Sequence, residues 1–439
     1  MCRPGGRPAE GVDIVRIALV AAGTLVVSVV GSPSFAGPAP ASAWQGFYAG
    51  VFAGEDLTAL HIAVPGEVYF DGISGESQMA GALFGYNRRF APRIVGGIEG
   101  DVSAARGGTY FAVTDGTDTI GGSVHPEWGG SFKGRIGYLA SPDTLFYATA
   151  GGVVAVANYG CEATTGYDCP DRVHQTLYGW PLAGFGAETA IGSGWRFRYE
   201  YDVKFLPTLS FDPITVTPMS GTANIALIHD LGGSKAPGDE KFGYAPQTWT
   251  GFYAGAGLGH GMWANDFDGS IDGYTWNADG FGSGGVSGGA FGGYLQQFGQ
   301  FALGVEAGTY WTLGQMDGGV EGMGGFTFAG NGTYGVRARA GIIVTPSTMI
   351  YGLVGWVHTD RDFSLHDSDG NLVGDAAFGR DGREFGGGIE TWIGRHVSVR
   401  AEYSYATFDA PVLGIPSDVL SVKSRVGSGL IGAVYHFGG

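Results

Sequence analysis

Apolar and polar residues alternate along most of this chain with a period of two, the spacing that sends successive side chains to opposite faces of a β-strand. In Trp44-Gln-Gly-Phe-Tyr-Ala-Gly50, the residues Phe47, Ala49 and Val51 share one face, while Tyr48 and Gly50 share the other. The stretch returns as Trp249-Thr-Gly-Phe-Tyr-Ala-Gly255, where Phe252, Ala254, Ala256 and Leu258 make the apolar face. After the first copy the pattern predicts further strands near 79–90, 94–102, 128–139, 145–157, 177–190, 195–205 and 222–231. After the second it predicts 286–298, 301–313, 334–344, 349–358, 384–393, 397–408 and 423–437. Each copy thus opens a set of eight strands whose connections alternate between tight turns, such as Ser141-Pro142-Asp143, and long polar segments. Predicted loops are 57–76, 106–127, 265–283 and the acidic stretch before residue 384. Short turns on one side and long loops on the other are the rhythm of a transmembrane β-barrel.

The motif W-x-G-F-Y-x-G also resembles the opening of small outer-membrane β-barrel proteins of alphaproteobacteria, the outer membrane immunogenic protein or opacity-like porin family. That resemblance implies an eight-stranded barrel that begins at the motif, here in tandem. The segment Tyr435-His-Phe437 resembles the aromatic end of an outer-membrane assembly signal, although Gly438 and Gly439 follow it.

Composition supports a barrel and excludes other classes. The 84 glycines come with 13% aromatic residues, which disordered chains lack, and without a collagen period. A net charge of −17 leaves nothing to neutralise phosphates, so nucleic acid is not an expected partner. Residues 1–36 read as a cleaved signal peptide, with Arg3, Arg7 and Arg16 before the apolar run 17–30 and Ser34-Phe35-Ala36 as cleavage box. Residues 37–43 form a short linker, and the Gly-, Lys- and Pro-rich segment 232–248 joins repeat 44–231 to repeat 249–439. No later run is long and apolar enough for a membrane helix, so a membrane would be crossed by strands. Cys161 and Cys169 share one polar loop, and beyond the inner membrane a local disulfide is the expected pairing.

Parity assigns the rare charges to one face. In Trp195-Arg-Phe-Arg-Tyr-Glu-Tyr201, the aromatic residues face one way and Arg196, Arg198 and Glu200 the other. A cation at the bilayer midplane costs roughly 2–4 kcal/mol, so the aromatic face is expected to meet lipid and the charges the lumen. The inward set of the first repeat is Glu99, Lys133, Arg135, Glu188, Arg196, Arg198 and Glu200. The second repeat has Glu306, Arg337, Arg339, Glu390, Arg400 and Glu402. Eight strands leave an interior that side chains fill, so each set is expected to pair and plug its lumen.

The remaining signals read as ordinary loop chemistry. Asp367-Ser-Asp369-Gly370-Asn371 places its Gly two positions early for a calcium loop. Gly285-Val-Ser287-Gly-Gly289 matches a nucleophile-elbow pattern but opens another strand rather than a helix. No Ser, His and Asp spacing picks out a triad, so no catalytic residue, cofactor or metal is expected.

The expected fold is all-β: two tandem, antiparallel, up-and-down eight-stranded barrels, with one sixteen-stranded barrel as the alternative. A complete charge set in each half favours two closed units. The expected function is a structural or surface-interaction role in the outer membrane. Its partners would be membrane lipid and lipopolysaccharide, the barrel assembly machinery, and a host or cell-surface ligand at the loops. A passive channel for small solutes is the alternative, and an outer-membrane hydrolase a more distant one.

Overall fold

The computed structural model describes residues 44–437 other than 65–67, 115–116, 118, 164–172, 212–213, 233–243, 245, 247, 272–273, 321, 323, 409–411 and 416–417. The signal peptide, most of the 232–248 linker and Cys169 therefore lie outside the described residues, as does the side chain of Cys161.

The first repeat contains β1 (Gly46–Val64), β2 (Val68–Ala91), β3 (Ile94–Thr114), β4 (Thr119–Ser141), β5 (Thr144–Ala163), β6 (Val173–Gly192), β7 (Trp195–Phe205), β8 (Leu209–Phe211) and β9 (Ile214–Asp230). Each of β1 to β6 pairs antiparallel with the next strand, β7 pairs with β9, and β9 returns to β1 from Tyr48↔Asp230 to Ala63↔Thr215. With β8 a short addition to β9, the ring closes on eight strands.

The second repeat contains β10 (Gly251–Ile271), β11 (Tyr274–Phe298), β12 (Phe301–Thr312), β13 (Gln315–Val320), β14 (Gly324–Thr345), β15 (Thr348–His366), β16 (Leu372–Trp392), β17 (Val397–Phe408), β18 (Val412–Ile415) and β19 (Asp418–His436). It closes the same way, with β19 on β10 from Tyr253↔His436 upward and β12 on β14. The strand that meets β1 is β9, and the strand that meets β10 is β19, so the chain forms two rings and not one of sixteen strands.

Tight turns gather at one end of each ring. At Gly192-Ser193-Gly194 the backbone enters the left-handed region at all three residues, with φ of 104°, 52° and 79°. Glycine takes such angles without steric cost, and a small polar residue takes them at modest cost.

At the opposite end the hairpins differ from the sequence expectation. Much of what composition assigns to loops is paired strand: β1 and β2 run on to Val64↔Val68, and β10 and β11 to Ile271↔Tyr274. The acidic segment likewise pairs, with Ser364 opposite Asp375, before a turn at 367–371. Backbone hydrogen bonds do not depend on side-chain polarity, so a Gly-, Ser- and Asp-rich stretch extends a ladder once neighbouring strands hold its register. These extensions also join the rings, through β3 with β11 at Phe111↔Ala278 to Thr114↔Thr275 and β2 with β13 at Val68↔Val320 to Phe70↔Gly318.

The rings pack side by side along the outward faces of corresponding strands. Tyr201 of β7 and Tyr403 of β17 stack with centroids 6.3 Å apart. Thr144, at the start of β5, meets Thr348, at the start of β15, at 2.8 Å between hydroxyls. Each pair occupies the same place in the two repeats. Contact between equivalent residues is the signature of a two-fold, self-complementary interface. Tyr199, Leu57, Met262, Ile389 and Ala401 fill the same cluster. A polar cap lies toward the extended hairpins: Tyr405 donates to Glu76 at 2.8 Å, and Arg425 bridges Glu76 and Asp266. Parity places Tyr199 and Tyr201 outward, but they meet the second barrel and not lipid. Both are 2% exposed.

Candidate functional site

The geometry of interest lies inside the rings. The alternation that exposes Phe47, Phe84, Ile98, Phe132 and Ile136 outside turns Tyr48, Glu99, Arg135 and Glu188 inside. All seven charges singled out in the first repeat and all six in the second point inward and are buried.

In the first lumen, Arg198 reaches Glu99 through both Nη atoms, at 2.7 and 2.6 Å, and Glu188 through Nε at 2.8 Å. Arg135 contacts Glu188 at 2.5 Å and lies over the Tyr147 ring at 4.0 Å. Tyr48 donates to Glu99 at 2.8 Å, and Tyr147 donates to Glu200 at 2.5 Å. Lys133 lies 2.5 Å from Glu200, 3.2 Å from Asp202, 3.7 Å from Glu99 and 3.9 Å from Asp101. Arg196 joins Glu188 to Asp230, the latter at 2.7 Å.

The second lumen repeats the core of this arrangement. Arg400 reaches Glu306 at 2.7 Å, and Arg339 reaches Glu390 at 2.8 Å while lying 3.9 Å from the Tyr351 ring centre. Tyr253 donates to Glu306 at 2.9 Å and Tyr351 to Glu402 at 2.6 Å. Arg337, in the place of Lys133, meets Glu306 at 2.7 Å, Glu402 at 3.0 Å and Glu384 at 3.1 Å. One exchange stands out: where the first lumen has Arg196 and Asp230, the second has Ser398 and His436. Both of these reach Glu390, at 2.6 and 3.2 Å.

The inward tyrosines need glycine beside them. A Cβ on Gly85 would lie 2.3 Å from the Tyr48 hydroxyl, and one on Gly293 would lie 2.6 Å from that of Tyr253. The side chain that bonds the glutamate is thus laid flat across a bare neighbouring strand, a close approach that only glycine permits.

Several inward charges escape the sequence reading although their parity marks them. Asp56, two turns of the pleat beyond Phe52, accepts from Thr222 at 2.5 Å and lies 3.3 Å from Lys204. Asp101 and Asp202 continue the faces of Glu99 and Glu200, and Glu384 continues that of Glu390. Arg361 and Arg380 are also buried, 5% and 3% exposed.

Two other signals resolve as structure. Ser287 sits within β11, its hydroxyl 2.7 Å from that of Thr312, with no helix after it. Asp367 accepts the backbone N–H of Asn371 at 2.8 Å and of Asp369 at 2.9 Å, closing the turn that follows β15. These bonds, the one from Asn371 first, hold its carboxyl below the usual carboxylate range.

Closed antiparallel rings that are apolar outside and charged inside define a transmembrane β-barrel protein. Residues 243–437 match the family model described as outer membrane protein beta-barrel domain. The 31 kDa outer-membrane immunogenic protein of Brucella melitensis is 28% identical over 201 residues, 41% of this chain and 78% of that protein. The Brucella suis protein of the same name matches equally. Among solved structures, Ail of Yersinia pestis is 17% identical and covers 42% of this chain and 98% of its own, with a TM-score of 0.23. Neisserial surface protein A, also 17% identical, covers 43% and 98%, with a TM-score of 0.25. The match of the second ring is to the outer-membrane β-barrel proteins, and the chain is an integral protein of the outer membrane.

Proposed function

We propose that this protein has a structural or surface-interaction role in the outer membrane and that its two lumens are sealed by paired charges. The observation that carries the reading is the repetition of one network of paired charges in both rings. A buried ion pair is retained at a cost in desolvation, and a wide wet lumen would have no need to repeat it. The cavities beside the networks measure about 120 Å³ in the first lumen and 50 Å³ in the second. A water needs roughly 10–15 Å³ by this measure, so each holds a few solvent molecules.

Interaction then falls to the hairpins that extend beyond the barrels. Asp369, Asp375 and Asp381 are exposed there, where lipopolysaccharide with its divalent cations or a host or cell-surface ligand would meet them. The relatives named as immunogenic proteins support surface display of such segments. The assembly machinery of the outer membrane is the expected partner during insertion.

Planar-bilayer recording of the purified chain tests the seal. Sealed lumens predict little conductance from the unmodified protein and more from Arg400→Ala. A large, stable conductance that Arg400→Ala leaves unchanged would replace this reading with that of a passive channel.

A further inference from the structure

Toward the extended hairpins, Arg361 Nε and the indole N–H of Trp263 in the second lumen are buried donors without an acceptor among the described residues. Arg361 of β15 and Arg380 of β16 both point inward. The register Thr359↔Arg380 sets the two arginines one pleat apart on neighbouring strands. The guanidinium of Arg361 lies 5.3 Å from the Trp263 ring centre and 6.0 Å from that of Phe328. Among the described residues, Arg361 has neither a hydrogen-bond acceptor nor a carboxylate at ion-pairing distance, and its Nε is fully buried. The indole N–H of Trp263, in a residue 1% exposed, also lacks an acceptor.

Both residues border the 50 Å³ cavity, together with Thr333, Thr359 and Tyr310. Glu384 borders it as well, but its carboxylate is engaged by Arg337 at 3.1 Å. A guanidinium held away from bulk water without a counter-charge is strongly disfavoured, and a second arginine nearby adds repulsion. Stacking on Trp263 and Phe328 offsets part of that cost and supplies no acceptor.

We propose that this cavity binds a small inorganic anion, chloride or an oxyanion of the size of phosphate. Arg361 supplies the charge and Trp263 a neutral donor, while Arg380 strengthens the local positive field. The volume admits an ion and excludes a lipid headgroup, so the source is free anion in the medium. The first lumen offers no such site, because its corresponding region carries Asp56, Asp101 and Asp202 beside Lys133 and Lys204.

The test is thermal unfolding of the full chain in detergent at constant ionic strength, with gluconate replaced stepwise by chloride or by inorganic phosphate. The expected result is a saturable rise in midpoint with at least one small anion. That rise should be lost in Arg361→Gln and kept in Lys204→Gln, a change confined to the first lumen. If Arg361→Gln does not fold, Trp263→Phe keeps the stacked ring, removes the N–H and should raise the half-saturating concentration several-fold. Equal midpoints in gluconate, chloride and phosphate would overturn the site. So would a full anion response in Arg361→Gln, or, where that variant does not fold, an unchanged half-saturating concentration in Trp263→Phe.

Discussion

The two barrels of this chain share one network and differ around it. At the centre of each lumen stand the same tyrosine, glutamate and arginine positions, with Tyr48, Glu99 and Arg198 in one and Tyr253, Glu306 and Arg400 in the other. On the side of the tight turns, Arg196 and Asp230 give way to Ser398 and His436. On the side of the hairpins, the first lumen is acidic, with Asp56, Asp101 and Asp202, and the second is basic, with Arg361 and Arg380. A closed eight-stranded ring tolerates change at either end of its core, where water or a new partner can compensate. At the middle every charge has at least two partners, and a single change leaves those partners short.

The sharpest test of that shared core is to remove the same arginine from each. Arg198→Ala and Arg400→Ala should each cost about 3–5 kcal/mol, because both leave a buried glutamate short of its partner. Urea unfolding of full-length variants reads the cost, and unequal losses would mean that the two cores are not equivalent. Glu402→Gln should cost less than either, since the amide still accepts from Tyr351.

The next test targets the exchange beside the turns. Arg196→Ala removes charged bonds to Glu188 and Asp230 and should cost about 2 kcal/mol. Ser398→Ala removes one hydroxyl donated to Glu390 and should cost about 1 kcal/mol. Equal losses by urea unfolding would show that Ser398 and His436 together hold Glu390 as firmly as the arginine holds Glu188.

A smaller effect belongs to the contact between the barrels. Tyr201 and Tyr403 occupy the same place in each repeat and stack on one another. A double-mutant cycle with Tyr201→Ala and Tyr403→Ala should give a coupling of about 0.5–1.5 kcal/mol. Additive losses would mean that each ring packs independently, as it would against lipid.

These comparisons also show how much was legible in the residues. Period-two alternation places Glu99, Arg198, Glu306 and Arg400 on the inward face because lipid admits no other choice in strands of this composition. The same rule marks Asp56, Asp101, Asp202 and Glu384, which the reading passed over. Parity says which face a residue takes and nothing of what covers it. Tyr199 and Tyr201 are outward as their spacing requires, yet a second barrel covers them. The hairpin extensions were hidden for a related reason. Their sequences are rich in Gly, Ser, Thr and Asp, so no continuous hydrophobic period announces a strand, and backbone pairing carries the ladder on.

The smallest expected effect concerns one of those extensions, the turn 367–371 of the second barrel. Asp367 is partly exposed, and its carboxylate accepts the backbone N–H groups of Asn371 and Asp369 and the Asn371 side chain at 3.1 Å. These bonds favour the ionised form, so its pKa falls below the ordinary 3.8 of an aspartate. A group with a lowered folded pKa adds its stabilisation above the unfolded value and loses it as pH falls through the folded one. The turn should therefore persist at pH 3.8 and open only in stronger acid. Nuclear magnetic resonance of the Asn371 amide follows it: the shift should titrate with a midpoint under 3.8, and Asp367→Ala should abolish the titration and speed exchange of that amide with solvent. A midpoint at or above the ordinary value would show that the carboxylate is free in solution and that Gly370, at φ 80°, makes the turn by itself.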